Sequence, residues 1–250
     1  MSARFHIPPP LQAGEQALPE AVFRHAVQVL RLRLGETLVL FDGEGQEASA
    51  ELIRLERREA WVRVAAPQAL SRESPLPLCL AQGIAKGERM DFVLQKAVEL
   101  GVAEIQPLLT ERSVLRLEAE RWERKLAHWQ GVVQAACEQC GRNRLPTLHP
   151  VRRLDDWLAG AAGQDGLKLL LDPRADQGLA SLARPTRATL LIGPEGGLSP
   201  AEIEQGRRAG FQGLRLGPRV LRTETAALTA LAVLQARWGD LDSSATCPKE

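Results

Sequence analysis

The stretch "LLIGPEGGLSPAEI", residues 190–203, restricts the possible fold more than any other part of the chain. Its aliphatic start reads as a short buried strand. Three glycines follow, Gly193, Gly196 and Gly197, and then a helix start. Ser199 and Glu202 have the S-x-x-E spacing of a capping box, and Pro200 takes the first helical position, where its missing N–H costs nothing. A strand, a glycine-rich turn and a helix in that order put the glycines at the carboxyl edge of a sheet, where open α/β sheets bind ligands. Glycine there lets the backbone approach a ligand closely and adopt positive φ. The spacing is neither G-x-G-x-x-G nor a phosphate loop ending in Lys-Ser/Thr, which disfavours dinucleotide and nucleoside-triphosphate sites.

The flanking sequence fits that sheet. "LCLAQGI", "EIQPLL", "GLKLLLD", "ATLLIGP" and "GLRLG" are short strand patterns. Between them lie "KGERMDFVLQKAVELG", an amphipathic helix that Gly101 ends, and the longer "EAERWERKLAHWQGVVQAACEQCG". In the second, Trp122, Leu126, Trp129, Val133 and Ala136 share one face. Strands alternating with helices imply a mostly parallel α/β sheet covered on both faces.

Residues 1–70 read differently. "ETLVLFDGEGQEASAELIRLERREAWVRVAAP" contains three strand patterns, with hairpin chemistry at Asp42-Gly43 and a second gap at Arg57–Ala60. "LPEAVFRHAVQVLRL" places Val22, Ala26, Val29 and Leu30 at helical spacing. The expected organisation is a β-rich domain over 1–70, a linker over 71–77, an α/β domain over 78–240 and a frayed tail over 241–250.

The stretch "LGPRVLRTETAALTAL", residues 216–231, carries a second strand end. Gly217-Pro218 closes the strand, and Thr223 is the expected N-cap for a helix through Trp238. "AALTALAVL" is apolar or small nearly all round, so this helix is expected to be buried, within the domain or against another subunit. Arg219 and Arg222 then stand beside the strand end. Two successive strand ends, one glycine-rich and one arginine-bearing, suit the two lips of one cleft.

Charge supports a polyanionic partner only by its distribution. The 250-residue chain has a net charge of +1, but all except five of its 32 basic residues are arginine. The arginine fork suits phosphate and base edges. Three windows hold arginine and no acid: 21–34, 139–153 and 205–222. No apolar run reaches the roughly 20 residues of a membrane span, and no secretory signal is evident. A cytoplasmic protein with no membrane partner is expected.

These motifs together resemble a known family. "GPEGGLSPAE" followed by "LGPRVLRTETAA" is similar to the signature of the ribosomal RNA small-subunit methyltransferase E family, within the SPOUT superfamily. The likeness extends through "KGERMDFVLQKAVELGVAEIQPLLTERS" and "AACEQCGRNRLP", and more loosely to "HAVQVLRLRLGETLVLFDGEG". It covers nearly the whole chain.

The resemblance implies an N-terminal PUA-like β-barrel and a C-terminal α/β domain tied in a trefoil knot. It implies methylation of uridine N3 in small-subunit (16S) ribosomal RNA, with S-adenosyl-methionine as donor and a homodimer as the working form. Carried onto this chain, the cofactor residues are Leu170, Leu171, Gly193, Gly196, Gly197, Leu216, Gly217, Leu221, Thr223, Thr225 and Ala226. Arg222 is expected to stabilise the anionic uracil. Glu195 either accepts a proton or orients substrate, or only orders its own loop. Arg4, Arg31, Arg33, Arg112, Arg142 and Arg144 are the expected phosphate contacts. The substrate is free RNA or the assembled small subunit. Competing readings keep the fold but methylate a ribose 2′-hydroxyl or a transfer RNA, or bind RNA without catalysis.

Four cysteines are too few and scattered for a disulfide framework. Cys137 and Cys140 in "CEQC" have metal-ligand spacing, but no second pair follows. They are expected to be partly buried reduced thiols, and no metal is expected.

Overall fold

The computed structural model describes residues 2–113, 119–161, 163 and 165–242. They group into two compact units: 2–73 with Cys137–Leu145, and 74–136 with 146–242. The segment from 243 onward, including most of the expected frayed tail and Cys247, lies outside the described residues.

The first unit is built on a six-stranded sheet. Its strands are β1 (Arg4–His6), β2 (Gly14–Ala17), β3 (Thr37–Phe41), β4 (Gln46–Leu55), β5 (Ala60–Val64) and β6 (Gln68–Ala69). Their order is β1-β3-β4-β5-β2, with β6 on β4. The three strand patterns of the sequence are β3, β4 and β5. Alternation along them sends Leu38, Leu40, Leu52 and Val62 into one core with Phe5. The first turn is longer than a two-residue hairpin. Asp42 Oδ1 accepts from the N–H groups of Glu44 (2.8 Å) and Gln46 (3.0 Å), which fixes a four-residue loop.

The expected helix is only partly α-helical. One turn, α1 (Glu20–Phe23), widens into a π-helix over Arg24–Val29, where the Leu30 N–H donates to the His25 carbonyl five residues back. The spacing of apolar residues is close in both helix types, so periodicity could not separate them.

Residues 137–145 join the first unit through its loops, which a linear boundary at residue 77 could not anticipate. Leu145 N–H donates to Gly43 O, Gly45 N–H to Asn143 O, and Asn143 Nδ2 to Leu70 O, each at 3.0 Å.

The second unit is a seven-stranded parallel sheet in the order β10-β8-β7-β12-β11-β13, with β9 on β8. Its strands are β7 (Leu78–Gly83), β8 (Glu104–Leu109), β9 (Thr147–Leu148), β10 (Arg152–Arg153), β11 (Leu167–Leu171), β12 (Ala188–Ile192) and β13 (Gln212–Leu214). Its helices are α2 (Glu88–Glu99), α3 (Ala119–Cys140, whose last turn belongs to the first unit), α4 (Leu154–Ala161), α5 (Pro200–Arg208) and α6 (Thr223–Trp238). Every residue of β7 and β12 is buried, as central strands covered on both faces must be. On one face Leu154, Trp157, Leu158 and Ile203 of α4 and α5 pack onto Leu108, Leu170 and Leu191. Helix α6 packs on α2, β7 and β12.

One feature of the path sets up the site. Strand β13 is at the sheet edge beyond β11, yet α6 lies back at the centre. The connection 215–222 therefore returns across the carboxyl ends of β11 and β12. Among the described residues no helix is long and apolar enough to cross a membrane.

Candidate functional site

That returning connection and the glycine turn form one cleft of about 650 Å³. The loop after β12 supplies Gly193, Glu195, Gly196 and Gly197, and the returning segment supplies Leu216, Gly217, Leu221, Arg222, Thr223 and Ala226. Leu171 closes it from the end of β11. Two of the expected cofactor residues are elsewhere. Leu170 faces the opposite way along its strand and is buried among α4 and α5, as the period-2 alternation of a strand requires. Thr225 is exposed and is not part of the cleft wall.

The two lips are stitched together by Thr223. Its hydroxyl donates to the Gly193 carbonyl at 2.6 Å and accepts from Gln82 Nε2 at 2.9 Å. Thr223 is thus the first helical residue of α6 rather than its N-cap, a position held by Arg222. Its side chain is spent on the neighbouring strand ends instead of on its own helix. The expected capping box of α5 is present: Glu202 N–H donates to Ser199 Oγ, and Ser199 N–H donates to Glu202 Oε2. The other Glu202 oxygen accepts from the Glu111 N–H at 2.7 Å, tying the end of β8 to the same turn.

The glycines are there for reasons that differ. A Cβ on Gly193 would meet the backbone of Gly197 and Leu198 at 2.7–2.8 Å, so the loop folds back on itself too tightly for any side chain. Gly197 has φ +67°, a conformation that other L residues rarely adopt. Close self-approach, rather than approach to a ligand, fixes the first glycine.

Glu195 is anchored. Its Oε1 accepts from the Lys86 N–H at 2.9 Å and from Arg89 Nη1 at 2.8 Å. Burial pushes its carboxyl up, but the hydrogen bonds from Lys86 and Arg89 outweigh that and hold it below the ordinary glutamate range. Arg89 also faces Glu224 at 3.9 Å and so spans α2, the glycine turn and α6. Neither Arg89 nor Glu224 stood out in the sequence, because their relation to the cleft depends on helix packing alone. Arg89, Arg112, Arg174, Arg215, Arg219 and Arg222 line the cleft against three carboxylates, Asp172, Glu195 and Glu224. The cleft is therefore electropositive.

The six arginines expected to contact phosphate separate into three groups. Arg31, Arg33 and Arg144 are exposed. Arg112 is exposed but lines the cleft, donating from Nη1 to Gly196 O at 2.7 Å. Arg4 and Arg142 are structural. Arg4 Nη1 pairs with Glu47 at 2.8 Å, and its Nη2 reaches Asn143 Oδ1 and Gly141 O. Arg142 is buried and pairs through Nε and Nη2 with Glu73. Their charges are committed to acids far away in sequence, which an acid-free window cannot reveal.

Cys137 is buried, and burial pushes its thiol up to about 12. It is therefore unreactive near neutrality. Among the described residues no group of three or more His, Cys, Asp or Glu could hold a metal ion.

The RNA methyltransferase domain model matches residues 72–235 and the RNA methyltransferase PUA domain model matches residues 18–65. The chain is an RNA methyltransferase with a parallel α/β domain preceded by a PUA domain. The ribosomal RNA small subunit methyltransferase E of Buchnera aphidicola (strain Sg) is 33% identical over 226 residues, covering 90% of this chain and 92% of that protein. Its counterpart in Bacillus subtilis is 30% identical, covering 84% and 85%. Among solved structures, a Neisseria gonorrhoeae ribosomal RNA small subunit methyltransferase E bound to S-adenosyl methionine is 39% identical with a TM-score of 0.89, covering 96% of this chain and all of that one. A Legionella pneumophila protein in complex with the bound cofactor SAM is 43% identical with a TM-score of 0.92, at the same coverage. This chain belongs to the ribosomal RNA small subunit methyltransferase E family.

Proposed function

We propose that the chain transfers a methyl group from S-adenosyl-methionine to N3 of a uridine in small-subunit ribosomal RNA, as a cytoplasmic homodimer. The observation that carries this is the Thr223 junction, which brings the glycine turn and the arginine-bearing lip around one cleft. The residues present fit the donor. Gly193, Gly196, Gly197 and Gly217 present backbone with no side chain, and Leu171, Leu216, Leu221 and Ala226 add apolar lining. Proteins that share this fold at 39% and 43% identity were solved with the same donor bound.

S-adenosyl-methionine supplies a methyl activated by its sulfonium, open to in-line displacement by a nitrogen nucleophile. The chain has mainly to align the reactants and favour the anionic form of the base. Arg222, exposed at the head of α6, donates to a uracil carbonyl oxygen and stabilises the charge on the ring. The N3 lone pair forms the new N–C bond, the C–S pair returns to sulfur, and the N3 proton passes to water. Glu195 takes the loop-ordering role: a carboxylate already held by Lys86 and Arg89 is a poor proton acceptor. Because N3 is occupied in base pairing, the target uridine is unpaired or extruded when it reacts.

Half-buried Leu228, Thr229, Ala232 and Val233 give α6 an apolar outer side that suits a second copy. Arg31, Arg33 and Arg144 are the phosphate contacts in this reading.

Calorimetry with S-adenosyl-methionine, followed by mass spectrometry of nucleosides from treated small-subunit RNA, tests the reading. Binding and a single 3-methyluridine are expected. A 2′-O-methylated nucleoside, or methylation of transfer RNA only, would replace the assigned target. Absence of binding would remove the reading altogether.

A further inference from the structure

Most large aliphatic side chains of the first unit are buried in its core, but three close in sequence are not. Val29, Leu30 and Leu34 are 66%, 47% and 58% exposed, whereas the neighbouring Val27 and Leu32 pack onto the core. Packing therefore accounts for the inward residues and leaves the outward ones unexplained.

The backbone singles out the same place. Among the described residues Arg31 is the only non-glycine residue with positive φ, at +60°. It follows the π-helical turn, and the Leu32 N–H donates back to the Ala26 carbonyl at 3.0 Å to hold the turn closed. Glycine would adopt this left-handed conformation freely, whereas an arginine is strained in it. Strain of this kind concentrates at functional sites, and here it places a cation between exposed aliphatics.

Of the three nearby arginines, only one is paired among the described residues. Arg24 pairs with Glu20 at 2.5 Å, and Glu36 accepts from the backbone N–H of Arg33 at 2.7 Å. The guanidinium groups of Arg31 and Arg33 have no acidic partner among the described residues. Three aliphatic side chains are far too small a patch for a stable protein interface, which takes about 800 Å² from each partner. They do match a polyanion with apolar faces, namely nucleotides whose bases are unstacked.

We propose that Val29, Leu30 and Leu34, with Arg31 and Arg33, form a wedge that contacts unpaired bases of the RNA substrate. The proposal rests on the RNA reading above and extends it from phosphate contacts to base contacts. The aliphatics lie against base faces exposed by unstacking while the two arginines take the adjoining phosphates.

Binding of the full chain to in vitro transcribed small-subunit ribosomal RNA, titrated with salt, tests it. L30S/L34S is expected to weaken binding about tenfold at every salt concentration and leave the salt slope unchanged. R31G is expected to lower the slope by about one while raising thermal stability slightly. Affinity for S-adenosyl-methionine and oligomeric state stay as in the parent. Unchanged RNA affinity in L30S/L34S would overturn the wedge. A shift in oligomeric state would overturn it in favour of a contact between copies. Loss of RNA affinity in a protein that neither binds the donor nor methylates would keep the wedge and sink the proposed activity, so the two failures are distinct.

Discussion

Arg142 lies 4% exposed with its guanidinium on Glu73, whereas Arg222 stands exposed at the head of α6 beside an electropositive cleft. Both come from windows of sequence rich in arginine and devoid of acid. Their difference teaches that a free cation is defined by distance in space. Arg142 finds its acid 69 residues away, and Arg4 finds Glu47 at a separation of 43. Arg4 and Arg142 hold loops of the first unit in place, whereas Arg222 leaves its charge for a ligand at the cleft. Arg89 has a foot in each class, since it anchors Glu195 and also lines the cleft.

The largest effect should come from breaking the structural side of the comparison. Arg142→Ala leaves the Glu73 carboxylate without its buried partner and is expected to cost about 3 kcal/mol, lowering Tm by roughly 6–12 °C. Thermal unfolding checks it, and a Tm within a degree of the parent would move Arg142 to the other class.

Arg222→Ala should do the reverse. Single-turnover methylation is expected to fall by about 10²–10³-fold while Tm and donor affinity hold. Equal losses of rate and donor affinity would place its guanidinium on the donor and away from the reacting uracil.

Thr223→Val keeps the shape but removes the hydroxyl that joins the two lips. About 1–3 kcal/mol of stability should be lost, because the Gly193 carbonyl and Gln82 amide lose a buried partner. Calorimetry should show weaker donor binding alongside the drop in Tm. A variant that binds the donor as the parent does would show that the lips stay together without this junction.

The smallest effect concerns pH. Burial raises the Glu47 carboxyl, but hydrogen bonds from Arg72, Arg4 and Asn143 win and bring it to about 2 from an ordinary 4.5. A group depressed in the folded state binds its proton more readily when unfolded, so it stabilises the fold above pH 4.5 and ceases to as pH falls toward 2. Tm measured across that range should converge for the parent and Glu47→Gln at the acid end. A constant gap would mean that Glu47 acts through packing alone.

Much of the sheet was legible because its signals are local. The strand before Gly193, the box of Ser199 and Glu202 and the end of α2 at Gly101 each depend on residues within one turn of chain. Of the expected pair Leu170 and Leu171, strand alternation turns only Leu171 to the cleft, and Thr223 differs from the expected N-cap by one residue of helix boundary. In both cases the motif gave the neighbourhood while the side-chain direction came from packing. The widening of the helix at Arg24 left no trace in apolar spacing, and neither did the strain at Arg31.

What the chain determined by itself is the set of elements and the chemistry at two strand ends, since caps, turns and periodicity are short-range properties. Only tertiary structure decided that those ends meet, because the return of residues 215–222 from the sheet edge to its centre has no local signature. It also decided which arginines are free. Neutralisation of a charge requires contact, and contact between residues 69 positions apart is fixed by the fold.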